Sequence, residues 1–383
     1  MTRNKDTDMT LRCLLGATAL TLLPTLTLAE PVTLTDIAGR EVTLDGPADR
    51  VILGEGRQIF FAAVLDGEDP FRRVVGWRDD LLQAAPESYA LYAEKFPKIA
   101  DIPTFGGFKD GTFNIEQAVA LDPDVMILNL EAKAATDEAG YEEKLAKVGI
   151  PIVYVDFREK PFEHTPRSMQ IIGEIFGEEE RAAEFNAFYE DQIARVTDVI
   201  AAQADLDRPL VFVERAGGYT EDCCMSFGHG NFGTFVELAG GDNMAAPFIP
   251  GTFGTINAEQ VIASDPDQIV VTGGNWEAYV PGGAWVGVGP GSDTEAARAK
   301  LAALMERPGF TGVKAVADGQ VHAIWHQFYN SPYSFVAVQQ LAKWLHPDLF
   351  ADLDPEATLK ELHARFLPVP YHPGYWVSLD AAD

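Results

Sequence analysis

Arginine and aromatic side chains follow several of the predicted β-strands, and their chemistry suits a large, partly apolar anion. Arginine stays charged and offers planar, multidentate hydrogen-bond donors, while aromatic rings can wall a flat ligand. We select Arg57, Arg78 and Arg215 as candidate anion-binding residues. The other candidates for ligand contact are Trp77, Phe105, Tyr219, Trp276, His326 and Tyr329. In so acidic a chain, a structural salt bridge is the alternative interpretation of each arginine.

His326 and Tyr329 are also candidates for binding a metal ion directly. Neutral imidazole and phenolate can both complete the coordination of iron when a chelator leaves positions open. His322 lies four residues before His326, but the segment is predicted as strand and loop, so this is not the shared face of a helix. A hydrogen-bonded structural histidine is the favoured interpretation of His326, and coordination is the alternative.

Two glutamates occupy equivalent places in an internal repeat. The pattern N-x-E-Q, then an apolar pair, A-x-D-P-D and a strand, begins at Asn114 and again at Asn257. Each asparagine can cap a helix, with the glutamine three residues later completing a capping box. Glu116 and Glu259 then fall in the first turn, where the helix dipole favours a carboxylate by about 0.3–1 kcal/mol. Two copies predict two similar α/β lobes rather than a solenoid.

Charge and motifs exclude several classes of function. The chain has 58 acidic and 29 basic residues, and such a surface repels nucleic acid, so we exclude nucleic acid as a partner. The sequence contains no G-x-S-x-G elbow, no H-E-x-x-H and no Walker motif. We therefore predict that the protein is not an enzyme.

The N-terminal residues have the pattern of a secretory signal. Positive charges, including Arg12, precede the apolar stretch 14–26, and small residues end at Ala29. We predict cleavage near Ala29 and a periplasmic mature protein. Its cysteines, Cys223 and Cys224, are adjacent and could form a vicinal disulfide or remain two buried thiols.

Strands alternate with helices along the mature chain, which indicates the α/β class. Residues 30–164 are predicted as an N-terminal lobe and 205–345 as a C-terminal lobe. Residues 165–204 between them are helical in pattern. A helix of about 26 residues over 178–204 would span roughly 39 Å, enough to reach from lobe to lobe. Residues 346–383 form a tail with one short helix near 357–366.

Over residues 32–344 the chain resembles the periplasmic binding proteins of ABC importers for siderophores, haem and cobalamin. The resemblance depends on both repeats together with several shorter motifs. These motifs are Thr35-Asp36-x-x-Gly39-Arg40 with Arg50-Val51, Leu238-Ala239-Gly240-Gly241-Asp242-Asn243, and Arg307-Pro308-Gly309-Phe310 with the later Gly319-Gln320-Val321. Each motif is weak alone, and the set is specific. The tail is longer than is usual in the family.

The resemblance implies two Rossmann-like lobes joined by a single long rigid helix, with the ligand cleft between them. It implies that Glu116 and Glu259 pair with arginines of an ABC permease that works with an ATPase. The expected ligand is an iron(III) chelate such as a ferric siderophore, with no intrinsic cofactor and a monomeric protein. Cobalamin or haem remains an alternative ligand, and a sensor or scavenger uncoupled from transport remains an alternative function.

Overall fold

The computed structural model describes residues 1–2, 30–109 and 111–380. The predicted signal segment, residues 1–29, lies outside the described residues apart from its first two. The described chain contains two α/β lobes, each built on a five-stranded sheet that is wholly or mostly parallel. The predicted fold class is thereby confirmed. Among the described residues, no helix combines the length and apolar character needed to cross a membrane.

The N-terminal lobe begins with an antiparallel hairpin of β1 (Val32–Thr35) and β2 (Glu41–Leu44). Its parallel sheet has the order β5-β4-β3-β6-β7. These strands are β3 (Val51–Leu53), β4 (Val74–Arg78), β5 (Thr104–Phe105), β6 (Val125–Asn129) and β7 (Ile152–Val155). The helices are α1 (Ile59–Leu65), α2 (Asp80–Ala84), α3 (Pro86–Lys95), α4 (Ile115–Ala120), α5 (Lys133–Ala139) and α6 (Tyr141–Ala146). Every residue of β6 and β7 is buried, as expected for parallel strands covered on both faces.

Two helices connect the lobes, α7 (Pro161–Phe176) and α8 (Glu179–Ala201). The first begins four residues earlier than predicted, because Pro161 occupies the first turn, where proline is favoured. The second has 23 residues and a length of about 34 Å, somewhat shorter than predicted.

The C-terminal lobe has a sheet of order β10-β8-β12-β13-β14, in which only β14 runs antiparallel to its neighbour. Its strands are β8 (Leu210–Glu214), β10 (Asp242–Asn243), β12 (Gln268–Gly273), β13 (Val321–Trp325) and β14 (Trp376–Ser378). A separate antiparallel pair consists of β9 (Met225–Phe227) and β11 (Phe253–Thr255). The helices are α9 (Phe232–Leu238), α10 (Ala258–Ser264), α11 (Thr294–Met305), α12 (Lys314–Ala317), α13 (Ser334–Leu345) and α14 (Pro355–Phe366).

Helix α8 contacts elements of both lobes. It packs against α7 and α1 on the N-terminal side and against α9 and α13 on the C-terminal side. The tail after α13 also contacts both lobes, since α14 packs on α1 and α13 while β14 completes the C-terminal sheet. Phe366 at the end of α14 lies 5.4 Å, between ring centroids, from both Phe185 and Phe188 of α8.

The internal repeat forms equivalent structures in the two lobes. Asn114 Oδ1 accepts a hydrogen bond from Gln117 N at 3.0 Å, and Asn257 Oδ1 accepts one from Gln260 N at 2.8 Å. The predicted asparagine caps are therefore confirmed. The predicted capping box is wrong, because among the described residues neither glutamine side chain accepts a hydrogen bond from its cap-residue amide. The glutamine Nε2 atoms donate to a carbonyl of β5 and to a serine of α10.

The D-P-D part of each repeat has a structural role. Asp122 and Asp265 adopt left-handed conformations, with φ of 47° and 46°, which end each helix before the proline. The second aspartates, Asp124 and Asp267, accept hydrogen bonds at 2.8 Å from backbone amides at the start of β3 and β8. Fold requirements thus account for these aspartates without a ligand or partner.

Candidate functional site

Loops that follow the carboxyl ends of parallel strands in both lobes meet in one cluster. The N-terminal lobe contributes the segments after β3, β4, β6 and β7, and the C-terminal lobe those after β8, β12 and β13. Such ends share one edge of each sheet, which is where open α/β sheets bind ligands. The two edges face each other, so the cluster lies in the cleft between the lobes.

Arg57, which follows β3, is at the centre of this cluster. Its Nη1 donates to Tyr329 Oη at 2.6 Å and to Gln327 Oε1 at 3.1 Å, both in the C-terminal lobe. Its Nε donates to Asp80 and its Nη2 to Glu55 in its own lobe. The side chain is 11% exposed. Arg57 therefore holds the two lobes together, and most of its donors already have protein acceptors.

Arg158 is a second inter-lobe arginine, which was not among the predicted site residues. It lies in the loop after β7, and its Nε donates to Asn330 Oδ1 of the other lobe at 2.8 Å. Its Nη1 donates to Glu131 Oε2 at 2.6 Å, and its Nη2 donates to Glu55 Oε2. The criterion that selected Arg57, an arginine in the loop that follows a buried strand, would also have found Arg158.

Three carboxylates surround these two arginines. Burial alone would raise the pKa of Glu55, but the charges of Arg158 and Arg57 outweigh it and leave the pKa lowered. Burial would likewise raise the pKa of Glu131, and Arg158 with Lys109 instead holds it at about 2. Asp80 differs, because burial exceeds the effect of Arg57 and raises its pKa. Glu55 and Glu131 are thus ionised at neutral pH.

Tyr329 and His326 lie side by side in the 3-10 turn His326–Asn330 after β13. Their ring centroids are 4.3 Å apart, and the guanidinium carbons of Arg158 and Arg57 lie 5.1 and 5.6 Å from the tyrosine ring centroid. His326 Nδ1 lies 2.9 Å from Thr272 Oγ1. Burial, with the nearby arginines, lowers the pKa of His326 well below its usual range, so the ring is neutral.

Arg215 differs from Arg57 and Arg158 in its partners. Within the described residues it forms no ion pair, and its Nε is buried without an acceptor. Its Cζ lies 5.0 Å from the ring centroid of Phe253, and its Nη1 lies 3.9 Å from Met225 Sδ. Its charge helps to lower the pKa of His326. A guanidinium with unused donors is the feature of this site best suited to an anionic ligand.

Aromatic rings form one wall next to His326. Trp276 meets His326 edge-on at 5.6 Å and Tyr219 at 5.8 Å, and Tyr219 lies 6.1 Å from the exposed Tyr279. The preceding residue, Asn275, donates from Nδ2 to Glu87 Oε1 at 2.8 Å across the cleft. This wall brings together the predicted residues Tyr219, Trp276, His326 and Tyr329.

A small pocket opens beside the charged network. Its lining includes Glu55, Arg78, Phe108, Lys109, Asn129 and Glu131. Arg78 ends β4, as predicted for a cleft residue. Asn129 ends β6, and its buried Nδ2 has no acceptor among the described residues. The pocket therefore offers donors as well as carboxylates.

Two predicted contact residues are not brought into this cluster. Trp77 is 2% exposed inside β4 and packs at 90° against Phe71, at 5.7 Å between ring centroids. Phe105 is 6% exposed and packs against Phe113 at 5.9 Å. Both side chains belong to the core of the N-terminal lobe, because they lie within strands rather than in the loops that follow them.

His322 lies near the start of β13, away from the cleft end of that strand. Its Nδ1 is 2.9 Å from Ser378 Oγ, and its ring stacks on Trp344 at 4.3 Å. Burial lowers its pKa to about 3. Among the described residues, no group of three or more His, Cys, Asp or Glu side chains could hold a metal ion. Metal coordination by His326 and Tyr329 would therefore need further ligands from the chelate itself.

Glu116 and Glu259 are both exposed in the first turns of α4 and α10. Cys223 and Cys224 lie side by side in the segment before β9. The amide of Ile256 donates to Cys224 O at 3.1 Å, which ties the cysteines to the chain just before α10. The cysteines thus lie next to the helix that presents Glu259.

Comparison with known proteins gives consistent matches over most of the chain. The sequence model of the periplasmic binding protein family matches residues 87–326. The crystal structure of the TroA-like periplasmic binding protein FepB from Veillonella parvula is similar with a TM-score of 0.82 and 31% identity, covering 91% of this chain and 100% of that one.

Two curated proteins are more distant relatives. The cobalamin-binding protein of Halobacterium salinarum is 26% identical over 246 residues, which are 63% of this chain but only 58% of that protein. The molybdate-binding protein MolA of Haemophilus influenzae is 23% identical and is matched over 95% of this chain and 99% of its own.

Proposed function

We propose that this chain, which belongs to the periplasmic binding protein family, captures an anionic metal chelate of the ferric siderophore kind in the cleft between its lobes. Its relatives are substrate-binding proteins rather than enzymes. The observation that supports a chelate most directly is the pairing of Arg215, which has unused donors, with the aromatic wall of Trp276, Tyr219 and Tyr279. An anionic, partly aromatic ligand would satisfy both.

Iron is proposed as the metal because the wall also presents neutral nitrogen and phenolic oxygen. His326 Nε2 and Tyr329 Oη lie on adjacent rings, and both are ligands that iron accepts. Cobalamin, haem and molybdate, named for relatives or similar structures, are the alternatives. A cobalamin or haem ligand would use the same aromatic wall, whereas molybdate would use arginine donors alone.

Fluorescence of the mature protein tests this proposal. Trp276 lies in the proposed site, so a bound chelate should quench its emission. The panel comprises ferric siderophores, their metal-free forms, haemin, cobalamin and molybdate. Saturable quenching by a ferric chelate, absent with its metal-free form, supports the proposal. Saturable quenching by haemin, cobalamin or molybdate alone would contradict a ferric chelate and would identify that compound as the ligand. Trp276→Phe should remove most of the quenching, whereas Trp344→Phe, outside the cleft, should not.

We propose further that the loaded protein is an exported monomer that docks on an ABC permease through Glu116 and Glu259. Each glutamate is exposed in the first turn of an equivalent helix, one in each lobe, so the pair can meet two positive patches of a two-fold permease. Alanine at both positions should abolish uptake by cells with the cognate permease and leave chelate affinity intact. The matched control replaces two exposed glutamates outside the repeat helices, Glu190 being one of them, by alanine, and it should leave uptake unchanged.

Unchanged uptake by the double alanine variant would favour a sensor or scavenger that hands its ligand to another receptor. A loss of chelate affinity would instead mean that these glutamates act on the cleft, and the docking assignment would fail.

A further inference from the structure

One oxygen atom of Glu55 receives hydrogen bonds from three side chains. Arg57 Nη2 donates to Glu55 Oε2 at 3.3 Å, Asn330 Nδ2 donates at 3.2 Å, and Arg158 Nη2 donates to the same atom. These donors come from the N-terminal lobe, the C-terminal lobe and the loop that leads into α7. Together they form a position for one anionic oxygen at the junction of the two lobes.

This position can be reached from the cleft. The Glu55 side chain is 15% exposed and lines the pocket that also contains Arg78, Lys109 and Asn129. The buried Nδ2 of Asn129 has no acceptor among the described residues, so the pocket has a donor that Glu55 does not use. An oxyanion that entered here would find donors of the kind that bind oxyanions, but the position between Arg57, Arg158 and Asn330 is occupied by the protein's own carboxylate.

The internal carboxylate has an advantage over a free anion. Glu55 lies two residues after the end of β3 and two residues before Arg57. Because it is part of the same chain, its effective concentration at the arginines is high and does not depend on the anion concentration in solution. Asp80 accepts from Arg57 Nε and Glu131 accepts from Arg158 Nη1, so three carboxylates face two arginines. A small oxyanion would have to displace Glu55 and would meet net repulsion from the other two.

We propose that Glu55 is a specificity-determining residue, whose carboxylate fills the anion position of Arg57, Arg158 and Asn330 and excludes small free oxyanions from the cleft. The inference deepens the proposed function and rests on it. A ligand that binds in the cleft must therefore be held by Arg215 and the aromatic wall. A small tetrahedral anion is too small to contact both. The substrate class is thereby narrowed to large chelates, and molybdate, sulfate and phosphate are rejected.

Calorimetric titration with sodium molybdate and with sodium sulfate tests this inference. The proteins compared are the wild type, Glu55→Gln, Glu55→Ala and the exposed control Glu190→Gln. Wild type and control should give no saturable binding at millimolar anion. Either Glu55 variant should bind molybdate saturably, with a Kd at least roughly tenfold below the highest anion concentration at which the wild type shows no binding, because two charged donors regain a free position. Thermal unfolding of each variant verifies that it is folded.

Two results would overturn the inference. One is tight binding of molybdate by the wild type, because the carboxylate would then fail to exclude it. The other is that a Glu55 variant, Glu55→Gln or Glu55→Ala, is folded and still shows no saturable binding of molybdate. Neither result depends on ferric chelates, whose failure to bind the wild type would instead contradict the proposed function.

Discussion

Arg57 Nη1 donates a hydrogen bond to Tyr329 Oη at 2.6 Å, and the two residues belong to different lobes. The tyrosine ring also lies near the guanidinium of Arg158, so two arginines and one aromatic ring form the floor of the cleft. Both arginines are mostly paired with internal carboxylates. The floor is therefore a structural junction between the lobes, and the ligand that we propose would contact the unpaired Arg215 and its aromatic neighbours.

Replacing Arg158 should destabilise the protein strongly. Arg158→Met leaves Glu55 and Glu131 without their main partner, and breaking a buried pair in this way costs about 3–5 kcal/mol. Urea unfolding at pH 7 measures the loss. Adding Glu55→Gln should recover part of it, because one unpaired charge is removed. Strict additivity of the two changes would contradict a direct interaction between these residues.

Buried histidines should make the protein less stable in mild acid. Burial lowers the pKa of His322 to about 3 and that of His363 to about 4, whereas both are near 6.5 when unfolded. Above about pH 7 both histidines are neutral in the folded and in the unfolded protein, so their burial does not change the free energy of unfolding with pH. Below pH 6.5 only the unfolded chain binds these protons, so each histidine lowers stability by up to about 1.4 kcal/mol per pH unit.

Urea unfolding at pH 7 and pH 5 tests this with His322→Phe, which keeps a ring against Trp344. The variant should lose roughly 2 kcal/mol less than the wild type between the two pH values. The exposed His229→Gln should behave as the wild type does. Equal losses in wild type and His322→Phe would mean that His322 titrates alike in both states.

The C-terminal tail should contribute to the stability of the whole protein. Phe366 is 1% exposed between the tail and α8, so Phe366→Ala should lower the free energy of unfolding by about 3–5 kcal/mol. Phe248 is 46% exposed, and Phe248→Ala should change it by no more than about 0.5 kcal/mol. Similar small effects for both would show that the tail is dispensable for the fold.

The pairing of Cys223 and Cys224 stays a prediction that mass analysis can test. Adjacent cysteines of an exported protein meet an oxidising compartment, so alkylation without reductant should leave the mass unchanged. Alkylation after reduction should add two groups. Two groups added without reductant would identify a pair of free thiols.

Local sequence patterns predicted much of the fold and part of the site. The two repeats identified the caps at Asn114 and Asn257 because capping depends on neighbouring residues alone. Arg57 and Arg215 lie at the cleft because the carboxyl ends of parallel strands share one edge. The same rule applied after β7 would have added Arg158.

Other features of the site depend on contacts that no local pattern encodes. Glu55, Asp80 and Glu131, which lie after three different strands, determine which arginines are paired and which are unpaired. Trp77 is an aromatic residue near an arginine in the sequence, but its strand position turns it into the lobe core. The antiparallel β14 and the inter-lobe packing of the tail also follow only from the assembled lobes.

Calorimetric titration of a ferric siderophore into wild type and Arg215→Glu tests the central claim most directly, with Arg167→Glu, on α7 outside the cleft, as the charge-matched control. Wild type and control should bind one equivalent of the ferric form and far less of the metal-free form. Arg215→Glu should weaken binding by roughly tenfold to a hundredfold, because a charge-assisted contact is replaced by repulsion. Equal affinity of Arg215→Glu and wild type for the chelate would contradict a ligand held at the unpaired arginine.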